Sequence, residues 1–147
     1  MVLEIKRASI EDVTRVALLF DAYRVFYKQP SDLSAAFDFL QQRIAKDESV
    51  IFLAVLKNEA VGFVQMYPIF SSVSLKRAWL LNDLYVTENA RNQGVGEALL
   101  QEAKQFGKET DAAFIILETA DDNYKAQSVY EKNGWIKTKD FFYEYPL

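Results

Sequence analysis

Neither cysteine nor histidine occurs among the 147 residues. The first absence excludes a disulfide framework, a thiol nucleophile and a thiolate metal site. The second excludes Ser-His and Cys-His triads, imidazole bases and the usual zinc sites. Acid–base chemistry must then fall to carboxylates, tyrosines, lysines, the backbone or water, and no metal is expected. Excess positive charge is missing too. The chain carries 17 Lys+Arg against 21 Asp+Glu, a net charge of −4, with a pI of about 4.9. A nucleic-acid partner, which normally requires a basic face, is disfavoured, whereas a cationic small substrate is mildly favoured. No apolar run approaches the roughly 18–20 residues that span a bilayer. Met1-Val2-Leu3-Glu4-Ile5-Lys6 lacks the pattern of a signal peptide. These absences lead to the expectation of a cytoplasmic protein that binds neither nucleic acid nor membrane.

What is present suffices for a core. Half the residues are apolar and 14% are aromatic, enough to fold one domain of this length without staples. No repeat, linker or low-complexity tract interrupts the chain, so residues 1–147 are expected to form a single domain. Apolar–polar alternation over residues 2–7 predicts a strand. Ser9 with Asp12 resembles a capping box, opening a helix that runs to about Lys28 before Pro30. A second helix is expected to open at Ser31 or Ser34, with Phe37, Leu40 and Ile44 on one stripe. Residues 50–56 and 60–67 form a hairpin around Lys57-Asn58-Glu59. A strand over 78–86, a helix over 94–107 stopped at Gly107, and a strand over 112–117 follow. A helix over 123–133 should close at Asn133-Gly134, and residues 135–139 and 141–145 read as two last strands. Runs of strands and helices in this order predict a mixed sheet covered by helices, in the α+β class.

The most informative stretch begins at Leu80-Leu81-Asn82-Asp83-Leu84-Tyr85-Val86 and continues into Arg91-Asn92-Gln93-Gly94-Val95-Gly96 at a helix start. Helix-start N–H groups lack helical partners and lie at the positive dipole end. Glycines let an anion approach that backbone, and Arg91 adds charge nearby. Two glycines at a helix start also suit a plain tight turn. A P-loop would need Gly-Lys-Ser/Thr where Gly96-Glu97-Ala98 stands. A dinucleotide fingerprint would need Gly or Ala in place of Leu99, and glycines directly after the strand.

Arg91 to Gly96 resembles the R/Q-x-x-G-x-G/A pyrophosphate loop of the GNAT superfamily of acetyl-CoA-dependent N-acetyltransferases. Asn123-Tyr124-Lys125-Ala126-Gln127-Ser128-Val129-Tyr130-Glu131-Lys132-Asn133-Gly134-Trp135 is similar to that family's N-x-x-A-x-x-x-Y-x-x-x-G-F/W segment. Tyr23-Arg24-Val25-Phe26-Tyr27, Phe70-Ser71-Ser72 and Asn82-Asp83-Leu84 look like a subgroup that includes histone and polyamine acetyltransferases.

The resemblance implies a mixed, mostly antiparallel sheet, splayed at its centre, with helices on both faces. It implies acetyl-CoA as cosubstrate and a primary amine as acceptor, joined by direct transfer in a ternary complex. The pantetheine arm would lie against the backbone of Leu84, Tyr85 and Val86, and the pyrophosphate against residues 91–96 (Arg91, Asn92, Gln93, Gly94, Val95, Gly96). Asn123 and Gln127 would lie beside the cofactor, although Asn123 also suits an N-cap. Tyr130 would protonate the leaving sulfur as general acid, although it equally suits the apolar face of a helix. Tyr23, Arg24, Tyr27 and Asn82 would meet the acceptor. Related polyamine enzymes carry a glutamate where Asn82 stands, and asparagine is no base. Asp83 is then the base candidate, although alternation directs it to the opposite sheet face, and Glu118 is another. A protein-lysine acetyltransferase and a non-catalytic acyl-CoA-binding module stay open as alternatives. A homodimer is expected from the family and from the aromatic end Phe141-Phe142-Tyr143-Glu144-Tyr145.

Overall fold

The computed structural model describes residues 2–147. It resolves into two compact units, one ending at Leu117 and one formed by Glu118–Leu147. The first holds a five-stranded sheet in the order β1-β2-β3-β4-β5. Its strands are β1 Leu3–Arg7, β2 Val50–Leu56, β3 Glu59–Ser71, β4 Lys76–Val86 and β5 Ile115–Ile116. The first three pairings are antiparallel, and β4 and β5 are parallel. Helices α1 Val13–Phe26, α2 Leu33–Ala45 and α3 Val95–Glu109 complete the unit.

The helices cover opposite faces of this sheet. Val16, Ala17 and Phe20 of α1 and Ala36 and Leu40 of α2 pack on Ile51, Leu53 and Phe63. On the other face, Phe106 of α3 meets Phe52 edge-on at 5.5 Å and Trp79 at a tilt at 5.2 Å between ring centroids. Because β2 is covered on both sides, it reads as an unbroken apolar run rather than an alternating one. Its turn into β3 places Lys57 and Asn58 both at positive φ, the type I′ geometry that matches strand twist.

The start of α1 is fastened by one buried carboxylate. Asp12 accepts from the Ser9 N–H at 2.9 Å and pairs with Lys6 at 3.1 Å and Arg15 at 3.2 Å. Burial pushes this carboxyl up, but the Ser9 N–H, Lys6 and Arg15 outweigh it and hold it at about 2 against an ordinary 3.8. A depressed folded-state pKa stabilises the fold above the unfolded value, and that stabilisation is lost as pH falls. Stability should therefore drop by about 2 kcal/mol between roughly pH 4 and pH 2. Urea midpoints across that window should show the drop in the wild type and a flatter profile in Asp12→Asn.

Several boundaries differ from the expected ones. Asp32, not Ser31 or Ser34, caps α2 by accepting from Ala35 N. Gly107 lies inside α3, which runs on to Glu109. A Cβ at Gly107 would stand 2.9 Å from Ile115 Cδ1, so this glycine serves close packing on β5 rather than helix termination. The strand expected over 112–117 shortens to Ile115–Ile116.

In the second unit, α4 spans Tyr124–Lys132 and ends in a Schellman turn. Gly134 takes φ 90, its N–H bonds Glu131 O at 3.2 Å, and Trp135 N–H bonds Tyr130 O at 3.0 Å. The two strands expected over 135–139 and 141–145 do not form among the described residues. Aromatic and branched residues favour strands only where a neighbour supplies a ladder. Here Ile136, Phe141, Phe142, Tyr143 and Tyr145 stand exposed.

Candidate active site

The pairing of β4 sets the geometry of the first unit's site. Its register with β3 runs Gln65↔Asp83 and then Met66↔Leu81, leaving Asn82 as an extra residue in a β-bulge. Trp79 lies on the α3 face against Phe106. Strict alternation would put Asp83 there too, but the bulge resets the phase. Asp83 and Tyr85 instead meet Tyr23 of α1. The bulge also overturns the expectation that Asn82 and Asp83 diverge: Asn82 Nδ2 donates to Asp83 Oδ1 at 3.0 Å.

Asp83 is only 4% exposed and accepts from three donors. Besides Asn82 these are Gln65 Nε2 at 2.6 Å and the Tyr23 hydroxyl. Burial pushes its carboxyl above the ordinary range, and the three hydrogen bonds oppose that rise. The same burial, with Asp83 nearby, raises the Tyr23 phenol far above its usual value and that of Tyr67 to about 12. Tyr27 lies 5.0 Å from Tyr23 between ring centroids and is exposed. Arg24 does not join this group, since its guanidinium donates to Pro30 O.

Beyond the bulge, β4 runs on past the end of its pairing with β5. Its pairing with β5 covers only Trp79↔Ile115 and Leu80↔Ile116, so the backbone of Leu84, Tyr85 and Val86 has no β5 partner. The chain then passes through a 3₁₀ turn, Glu88–Ala90, into the loop before α3. Asn92 and Gly94 take φ 63 and 83, and Gly94 caps α3. That left-handed backbone suits glycine and leaves the first-turn N–H groups of α3 outside the helical ladder. Arg91 is built into this corner. Its Nε donates to Val86 O at 2.9 Å, and its guanidinium lies 5.5 Å from the Phe26 ring and 5.7 Å from the Tyr85 ring. Gln93 donates its side-chain amide to Asn89 O. An open depression lined by Val2, Glu4, Val55, Lys57 and Asn58 lies at the far end of the sheet and holds none of these groups.

In the second unit, the Asn123 side chain caps α4 by accepting from Ala126 N at 3.2 Å. Gln127 Nε2 donates to Ala120 O and Asp121 O, tying down the segment before the helix. Tyr130 is half-buried, with its ring centroid 6.1 Å from that of Trp135. Sequence reasoning missed Gln65 and Tyr67. Its available signal was a lone polar residue within the buried run Val61-Gly62-Phe63-Val64-Gln65-Met66.

An open strand beside a glycine-capped helix start suits a long, amide-bearing thioester with a pyrophosphate. Comparison with known proteins shows the family. The profile described as the Acetyltransferase (GNAT) family matches residues 16–135. The chain is 44% identical to the "Uncharacterized N-acetyltransferase YhfO" of Bacillus subtilis (strain 168), over 95% of this chain and 93% of the other. It is 36% identical to a "Probable acetyltransferase" of Haemophilus influenzae, over 88% of each. The crystal structure of a probable acetyltransferase superposes with a TM-score of 0.92 at 44% identity, covering 98% of this chain and 97% of the other. The chain belongs to the GNAT family and is an acetyltransferase, of a family that draws its acetyl group from acetyl-CoA.

Proposed function

We propose that the chain is a single N-acetyltransferase domain carrying the acetyl group of acetyl-CoA to a primary amine, either on a small molecule such as a polyamine or on lysine. The observation that carries this reading is the stretch Leu84-Tyr85-Val86 of β4, which has no β5 partner, has Val86 O engaged by Arg91, and runs on toward the Arg91–Gly96 loop. Those strand groups hold the pantetheine, and the loop holds the pyrophosphate. A backbone N–H near Leu84 or Tyr85 polarises the thioester carbonyl. Tyr130 protonates the departing sulfur, with Gln127 of the same helix and its cap Asn123 near the cofactor. Tyr23, Tyr27, Asn82 and Asp83 face the acceptor. Without cysteine there is no evident acyl-enzyme nucleophile, which favours direct transfer in a ternary complex.

Free-thiol release from acetyl-CoA, followed against polyamines, amino acids, aminoglycosides and lysine peptides, tests this reading. Turnover with one amine class, and no acetylated enzyme when the amine is omitted, is the expected result. A protein that binds acetyl-CoA yet releases no thiol with any acceptor contradicts it. The reading extends to a cytoplasmic homodimer, because exposed Phe141, Phe142, Tyr143 and Tyr145 offer apolar surface for a second copy. Sedimentation at the mass of one protomer would remove that part.

A further inference from the structure

Asp83 is buried, and both of its oxygens are engaged. Gln65 Nε2 donates to Oδ2 at 2.6 Å and Asn82 Nδ2 to Oδ1 at 3.0 Å. Gln65, itself fully buried, also hydrogen-bonds Tyr67, so the amide that grips Asp83 is held in turn. The third donor is the Tyr23 hydroxyl. All three donors are neutral, and no cation is among the groups that act on Asp83. A buried carboxylate without a counter-charge is costly to keep. Its placement is also specific, because Asp83 reaches α1 only through the bulge at Asn82.

The neighbour that leads outward from Asp83 is Tyr23. It is half-buried. Its ring lies 5.0 Å from that of exposed Tyr27 and 6.2 Å from that of Tyr85, on the part of β4 without a β5 partner. A phenol has one proton to donate and lone pairs that accept. Burial raises both Tyr23 and Asp83, but the bond between them lowers Asp83 and raises Tyr23. The proton therefore stays on Tyr23 and is directed at Asp83, and the Tyr23 oxygen is left able only to accept. That polarity matters to an amine, which attacks through its lone pair. A freely turning hydroxyl could donate to that pair and occupy it. A hydroxyl whose proton is tied to a buried carboxylate can only take an N–H from the amine.

We propose that Asp83 is a positioning residue for the acceptor: it fixes the Tyr23 hydroxyl as a hydrogen-bond acceptor, which takes an N–H of the acceptor amine and leaves the lone pair free to attack. This rests on the acetyltransferase reading above and applies to any primary amine. Asp83 itself neither touches the amine nor takes its proton. Its effect passes through Tyr23.

The test is a double-mutant cycle on the full chain, with acetyl-CoA and the amine of the thiol-release panel that turns over fastest. Tyr23→Phe and Asp83→Asn should each lower kcat/KM for the amine by about tenfold to a hundredfold, the range for a hydrogen bond with a charged partner. The loss should lie mainly in KM for the amine, with KM for acetyl-CoA near wild type. Adding Asp83→Asn to Tyr23→Phe should cost no more than about twofold further, because the hydroxyl it acts through is gone. Losses that multiply in the double variant overturn the role, since a merely structural Asp83 keeps its cost without that hydroxyl. A spectroscopic reading stands beside the rates. With tyrosine Cζ isotopically labelled, the Tyr23 resonance is identified by its absence in Tyr23→Phe. It should move in Asp83→Asn, and an unmoved resonance also overturns the role. If Asp83→Asn does not fold, the wild type decides. The same resonance should then move when the amine is added with coenzyme A, which cannot react, and an unmoved one overturns the role. Thiol release separates the two levels. Turnover with multiplying losses leaves the acetyltransferase reading intact and removes the role of Asp83. No thiol release from any amine removes that reading, and the role of Asp83 with it, even where the resonance moves in Asp83→Asn.

Discussion

Replacing Phe63 by alanine should cost the fold about 3–5 kcal/mol, the range for removing a fully buried aromatic ring. Phe63 is 0% exposed. Its ring centroid lies 6.2 Å from Phe20, 5.9 Å from Tyr23 and 6.5 Å from Tyr85. It is therefore where α1 leans on β3 and β4 at once. The backbone around it is held in a central strand, so the hole cannot close by a small shift. Domains of this kind keep only about 5–15 kcal/mol of net stability, and the urea midpoint should fall by about 2 M. Phe63→Leu, which refills most of the space, should lose much less. Equal losses in the two variants would mean that the aromatic contacts with α1, rather than volume, dominate this position. A midpoint unchanged in Phe63→Ala would mean that α1 is held independently of the sheet.

Part of this architecture is written locally, and that part was legible. The hairpin of β2 and β3, the Gly94 cap of α3 and the Gly134 stop of α4 each depend on a few neighbouring residues whose conformational needs are strong. The order of helices and strands followed from periodicity, and the loop and α4 motifs carried the family resemblance. What failed depends on partners distant in sequence. No local feature marks Asn82 as an extra residue opposite Gln65, because a bulge is a property of two strands together. Alternation therefore sent Asp83 to the wrong face, and Gln65 passed as ordinary strand interior. Residues 135–145 failed for the same reason in reverse. Their aromatic content satisfies strand propensity, but a strand exists only with a ladder beside it, and none forms there. What was legible near the candidate site was thus the loop and helix motifs that carry the family resemblance. The site's buried carboxylate network was not.

Tyr130→Phe should lower kcat by roughly a hundredfold to ten-thousandfold, the usual weight of a positioned general acid. The substitution removes one oxygen and keeps the ring, so the packing against Trp135 and the Schellman turn below it should survive. Acetyl-CoA affinity and melting temperature should then change little, which separates a chemical loss from a structural one. The size of the effect has a physical ceiling. A thiol's ordinary pKa is about 8.5, so a thiolate leaves tolerably well unaided, and the lower end of the range is favoured for an amine that attacks readily. A second readout is more diagnostic than the rate. An acid that must hold its proton gives the pH–rate profile an alkaline limb, and that limb should vanish in the phenylalanine variant along with most of the activity. A kcat within threefold of wild type, with the limb retained, would assign the limb to another group and leave Tyr130 as a packing residue of α4. Asp83→Asn supplies the contrast. A residue that holds the amine through Tyr23 should shift KM for the acceptor while leaving the alkaline limb in place, so the two variants together distinguish holding the amine from releasing the thiol.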